Sequence, residues 1–105
     1  MEFILTESEF NEDNTAWNGN RFLMGNGYFG IRGTLEEYTK KQMCAVNMAG
    51  IYDKMGNSWR ESVNAPNPLY TYIKVNGKIY ALPDEKPKFH QQELDFRYGI
   101  HSRVT

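Results

Sequence analysis

Apolar and polar positions alternate with the period of strands rather than helices along most of the chain. The clearest stretch is Leu69 to Val75, where Leu69, Thr71, Ile73 and Val75 face one way and Tyr70, Tyr72 and Lys74 the other. Asn76-Gly77 then turns the chain, and Lys78 to Leu82 returns. Both residues tolerate the positive φ that a type I′ turn demands. An earlier hairpin is predicted around Gly25-Asn26-Gly27, between Arg21–Met24 and Tyr28–Gly33. Gly30, inside the second of these strands, marks a bulge or a close backbone approach. Gln42 to Gly50 reads as a further strand, with Cys44, Val46 and Met48 on one face. Phe89 to Phe96 reads as another, followed by a turn at Tyr98-Gly99 and a last strand from Ile100.

Between these strands lie polar segments. Residues 7–20 read as loop with Trp17 as their anchor, and Thr34 to Lys41 reads equally as one helical turn or a solvated loop. Residues 53–68, with Gly56, Pro66 and Pro68, read as one long loop, a length often tied to function. No helical periodicity runs beyond about ten residues, too short for an independent helix. The expected class is all-β: antiparallel strands of a sandwich or barrel.

Composition narrows the function. The 105 residues carry 12 basic and 13 acidic side chains, well mixed, for a net charge of −1. Without a basic stripe, nucleic acid is not an expected partner. Aromatic residues make up 14%, which suits strands and argues against disorder. One cysteine, Cys44, excludes an internal disulfide and fits a reducing compartment. Met1 to Phe10 carries neither a basic leader nor a membrane-length apolar run, so the expected address is cytoplasmic and no membrane is expected as a partner.

Candidate chemistry is sparse. Gly25, Gly27 and Gly30 formally spell Gly-x-Gly-x-x-Gly, but a dinucleotide site needs a helix after it and here a strand follows. His90 and His101 lack a third ligand, so no metal site is expected. Cys44, in an apolar strand, reads as a buried hydrophobe. Glu36-Glu37 is an adjacent pair, which in an extended segment would point to opposite faces. Such a pair does not span the roughly 6.5–9.5 Å of an inverting glycosidase. It reads as an exposed acidic pair or the partner of a strand arginine. Tyr52, Trp59, Tyr70 and Tyr72 have the chemistry of a sugar-stacking platform, though such rings equally fill a core or a seam between domains.

Four phrases in order carry a resemblance. Gly25-Asn26-Gly27-Tyr28-Phe29-Gly30-Ile31-Arg32-Gly33 with Glu36-Glu37 comes first. Ala49-Gly50-Ile51-Tyr52-Asp53, Val63-Asn64-Ala65-Pro66 and Leu94-Asp95-Phe96-Arg97-Tyr98-Gly99-Ile100 follow. With these the chain resembles the N-terminal domain of glycoside hydrolase family 65, which includes maltose, trehalose, kojibiose and nigerose phosphorylases. One departure is Gly19-Asn20-Arg21-Phe22, where many members have Glu-Ser-Leu-Phe; it leaves the subgroup and substrate open.

The resemblance implies that residues 1–105 form part of a large antiparallel β-sandwich of the galactose-mutarotase-like type. The (α/α)6 barrel that carries the catalytic acid and the phosphate ligands would lie elsewhere in a longer chain. It therefore implies no catalytic residue, metal or cofactor here, and inorganic phosphate as co-substrate of the parent enzyme. Expected partners are the rest of that chain, its disaccharide and further copies in a homo-oligomer. Gly25, Asn26, Gly27, Tyr28, Gly30, Arg32 and Gly33 would be structural, and Arg32, Glu36, Tyr52 and Trp59 would lie near substrate. The alternative is a self-contained carbohydrate- or protein-binding β-module.

Overall fold

The computed structural model describes residues 2–33 and 35–105. The elements run β1 (Ile4–Glu7), α1 (Thr15–Arg21), β2 (Met24–Gly25), β3 (Phe29–Ile31), β4 (Val46–Met48), β5 (Tyr52–Lys54), β6 (Arg60–Ser62), β7 (Ile73–Val75), β8 (Lys78–Tyr80), β9 (Gln91–Asp95) and β10 (Ile100–Val104). Every strand pairing is antiparallel. The strands form two three-stranded sheets, ordered β1-β9-β10 and β2-β3-β4, and the hairpins β5-β6 and β7-β8. This is the all-β, sandwich-like architecture that the alternation predicts.

The second predicted turn forms for the predicted reason, and the first for a different one. Asn76 and Gly77 sit at φ 49° and 83° between the paired residues Val75 and Lys78. In the first hairpin the Asn26 side chain does the work of a turn: its Oδ1 accepts from the N–H groups of Tyr28 (3.0 Å) and Phe29 (2.8 Å). Gly27, at φ 84°, supplies the left-handed residue beside it.

Several segments depart from the expectation. The strand expected over Arg21–Met24 shrinks to β2, because Arg21 closes α1. Residues 4–7 form β1, whose partner β9 lies more than 80 residues away, with Glu7 opposite Gln92. Within the supposed loop 7–20, residues 12–14 form a 3₁₀ turn capped by Asn11, and α1 follows it. Trp17 is not an anchor, since it stays 62% exposed; Phe22, just past α1, is fully buried. Residues 53–68 are not one loop, because β5 and β6 pair from Tyr52–Ser62 to Lys54–Arg60. Lys40–Gln42 is a 3₁₀ turn in which Thr39 and Gln42 cap one another, so the strand predicted from Gln42 shortens to β4. Of the segment from Thr34 to Lys41, Thr34 lies outside the described residues.

The core is small. Leu35, Tyr38 and Leu82 cluster with Phe10 packed against them, and Phe22, Cys44, Val46 and Leu94 are buried as well. On β9, Gln92 and Leu94 point inward while Gln91, Glu93 and Asp95 stay half-buried. The inward face of β9 thus carries a polar residue into the interior, and that fixes where the polar clusters below form.

Candidate functional site

Glu36 and Glu37 lie in a turn, not an extended segment, and this corrects the expectation that they diverge. Both carboxylates reach one cation. The Arg103 guanidinium, on the inner face of β10, donates from Nη1 to Glu36 Oε2 and Glu37 Oε2, each at 2.6 Å, and from Nη2 to Glu37 Oε1 at 2.8 Å. The pairing with a strand arginine is therefore the one that forms. Two backbone N–H groups tie the turn in place, Thr71 N–H donating to Glu36 O (3.1 Å) and Leu82 N–H to the Glu37 side chain at Oε1 (3.3 Å).

The chemistry follows from burial. The Glu37 side chain is 9% exposed, Arg103 14% and Glu36 43%. Burial alone would raise the Glu37 pKa; the hydrogen bonds and charge of Arg103, with its backbone donors, outweigh it and hold the carboxyl below its ordinary value. At neutral pH Glu37 is thus an ionised acceptor with no proton to donate to a glycosidic oxygen. Burial would lower the Arg103 pKa, but Glu37 and Glu36 raise it on balance.

A second polar cluster joins this one through Thr105. Arg103 Nε donates to Thr105 Oγ1 (2.8 Å), which lies 3.0 Å from His90 Nδ1. The hydroxyl can donate to Nδ1 or accept from it, according to the His90 tautomer, and the other ring nitrogen of His90 is Nε2. That Nε2 is buried without a hydrogen-bond partner, 3.6 Å from Glu7 Oε2. Glu7 also accepts from the Asn18 and Gln92 amides, and Gln92 Oε1 lies 3.1 Å from His101 Nε2. Burial, then Arg103, lowers the His90 pKa against the opposing pull of Glu7. Burial, joined by Arg103, likewise lowers that of His101 against Glu36. His101 stacks on Phe22 with ring centroids 5.4 Å apart. Both histidines are neutral at pH 7, so Glu7 and His90 form no ion pair there.

The residues expected near substrate do not converge. Glu36 lines a groove of about 720 Å³ with Tyr72, Ile73, Tyr80 and Phe89. Arg32 instead binds the helix to the second sheet, donating to the carbonyls of Ala16 (2.7 Å) and Met43 (3.0 Å) and to Asn20 Oδ1 (3.3 Å). Tyr52 lies exposed on β5, and Trp59 lies exposed beside β6, its indole donating to Glu61 at 2.9 Å. Tyr70 and Tyr72 pack together at 5.9 Å. Reading the sequence missed Arg103, Glu7 and Gln92. The alternation Ile4-Leu5-Thr6-Glu7, with Glu7 on the Leu5 face, was the available signal.

The four phrases act as brackets and turns. Gly33 N–H donates to Gly19 O (2.9 Å), and a Cβ on Gly33 would lie 2.4 Å from Phe22. Asn64 takes the place of a strand beside β4, accepting from Val46 N–H (2.8 Å) and donating to Cys44 O (3.2 Å). Asp95 Oδ1 accepts from the N–H groups of Arg97 (2.8 Å) and Tyr98 (3.3 Å). Gly50 and Gly99 adopt φ 83° and 64°.

Comparison with known proteins agrees with these brackets. The sequence profile described as "Glycosyl hydrolase family 65, N-terminal domain" matches residues 5–105. The nigerose phosphorylase of Lachnoclostridium phytofermentans is 54% identical over all 105 residues, which cover 14% of its length. The 1,2-alpha-glucosylglycerol phosphorylase of Bacillus selenitireducens is 34% identical over 85 residues, 81% of this chain and 11% of that one. A kojibiose phosphorylase of Escherichia coli is 32% identical over 96 residues, 90% of this chain and 12% of that one. The chain spans about one-seventh of the length of these curated relatives or less.

Proposed function

We propose that this chain, which belongs to the N-terminal domain family of glycosyl hydrolase family 65, is the non-catalytic leading part of a disaccharide phosphorylase acting on α-glucosides. The observation that carries the reading is the 54% identity to a nigerose phosphorylase over the full chain. The side-chain chemistry supports it. The adjacent acids Glu36 and Glu37 are both committed to Arg103, and the second buried acid, Glu7, is engaged by two amides. In this reading the catalytic acid and the ligands of inorganic phosphate lie in the rest of the parent chain. The cleavage inverts the anomeric centre, the parent works in the cytoplasm as a homo-oligomer, and the present domain shapes and braces the barrel.

The test is the polypeptide encoded by the whole gene, incubated with inorganic phosphate and nigerose, kojibiose or maltose in turn. Release of β-glucose 1-phosphate, its anomer identified by proton NMR, is expected from one of these α-linked disaccharides. Water-dependent release of free glucose alone would contradict the phosphorylase assignment. The α-anomer would contradict inversion.

A further inference from the structure

Among the described residues, one buried side-chain polar atom makes no hydrogen bond: His90 Nε2, on a side chain only 1% exposed. A buried donor or acceptor costs stability unless something satisfies it. The same ring lines a cavity of about 20 Å³ together with Glu7, Asn18, Tyr38 and Gln92. Asn18, Tyr38 and Gln92 are buried, and the Glu7 side chain is 10% exposed.

The gap from His90 Nε2 to Glu7 Oε2 is 3.6 Å, too long for a direct hydrogen bond. Neither side chain is free to close it. The imidazole is held at its other nitrogen by Thr105 and against Phe10, with ring centroids 5.6 Å apart and planes at 73°. Glu7 stands in register opposite Gln92, its Oε1 on the Asn18 amide and its Oε2 on the Gln92 amide. Each carboxylate oxygen has two lone pairs, so each keeps one for a further donor. A polar contact just beyond bonding distance, beside a cavity, is the geometry of a water bridge.

Size and charge select the ligand. One water needs room of about 10–15 Å³ for its centre and two to four polar partners. The cavity meets the first need, and His90 Nε2 and the Glu7 carboxylate meet the second. A phosphate ion or a sugar ring is too large, and any anion meets the Glu7 charge. A cation finds too few ligands, because the Asn18 and Gln92 amides turn N–H groups toward Glu7 rather than oxygens. Among the described residues no group of three His, Cys, Asp or Glu could hold a metal ion. Water both donates and accepts, so it serves either tautomer of His90.

We infer that this cavity binds one water molecule, fixed between His90 Nε2 and the Glu7 carboxylate as a permanent part of the fold. It completes the cluster in which Glu7 gathers α1, through Asn18, and β9, through Gln92, onto β1.

Crystals of the whole-gene polypeptide, diffracting well enough to place ordered water, test this. A single peak of water height is expected within about 2.7–3.2 Å of both His90 Nε2 and a Glu7 oxygen. Soaking in a rubidium or thallous salt is expected to add no anomalous signal there. In a His90→Phe variant the peak is expected to vanish, while Gln92 stays on His101. Absence of the peak in the unaltered protein overturns the inference, whether or not the 3.6 Å gap has closed to a direct bond. An anomalous peak overturns it by identifying a monovalent cation. A peak that persists in His90→Phe overturns it as well, because the water would then belong to Glu7 alone. The first two measurements use the unaltered protein, so they decide the matter even where the variant fails to fold.

Discussion

Replacing Arg103 by Met leaves the Glu37 carboxylate buried without its cation. The aliphatic stem is kept, so the change falls on charge and hydrogen bonding. Four charge-assisted hydrogen bonds disappear, two of them to Glu37, one to Glu36 and one to Thr105. Glu36, 43% exposed, can turn to water, and its share is worth less than about 1 kcal/mol. Glu37 keeps only its backbone donors, its own N–H and the long bond from Leu82 N–H. Stranding one partner of a buried pair costs about 3–5 kcal/mol. Partial exposure of the cluster points to the low end, about 3 kcal/mol, or a Tm lower by roughly 12–24 °C in a domain of this size. Urea and thermal unfolding of the 105-residue chain, followed by tryptophan fluorescence, measure it. The double variant Arg103→Met/Glu37→Leu should recover more than half of the loss, because no charge is then stranded. A cost below about 1 kcal/mol for Arg103→Met, or no recovery in the double variant, would refute the reasoning.

Three further outcomes follow from the geometry. Gly33→Ala should destabilise the chain by about 1–3 kcal/mol, because its Cβ meets Phe22 at 2.4 Å; Gly30→Ala, whose Cβ meets nothing closer than 4.0 Å, should stay within about 0.5 kcal/mol by the same urea titration. Phe22→Ala should cost about 3–5 kcal/mol and Trp17→Ala under about 0.5, which thermal melts by circular dichroism would distinguish. Acid should weaken the fold. His90, His101 and Glu37 all have folded pKa values below their unfolded ones, so the unfolded chain binds more protons and stability falls as pH drops. The histidine part is present above about pH 6.5 and is lost as pH falls below it, and the Glu37 part is lost below about pH 4.5. A Tm that stays flat between about pH 7 and 5 would contradict the buried neutral histidines.

The turns were legible because their chemistry is local. Asn76-Gly77 and Asn26-Gly27 place left-handed conformations where the side chains allow them, and no distant residue is consulted. What escaped was non-local. The short run Ile4–Glu7 becomes a strand only because β9 lies beside it, and nothing in those residues announces that partner. Helix α1 has seven residues and carries Gly19, so it has no period to detect; the Asn11-capped 3₁₀ turn before it and Arg32 across it hold it in place. The β5-β6 hairpin is exposed on both strands, so no burial pattern marks it. The acid pair shows both sides: its pairing with a strand arginine was readable from charge, but Arg103 lies 66 residues from Glu37, and only the fold identifies it.

The most direct measurement is phosphorolysis by the purified 105-residue chain, with nigerose and inorganic phosphate, followed by glucose 1-phosphate release. The account predicts none above a blank, since its adjacent acids are held by Arg103 and Glu7 by two amides. Turnover that co-purifies with the chain and disappears in a Glu36→Gln/Glu37→Gln variant would contradict it.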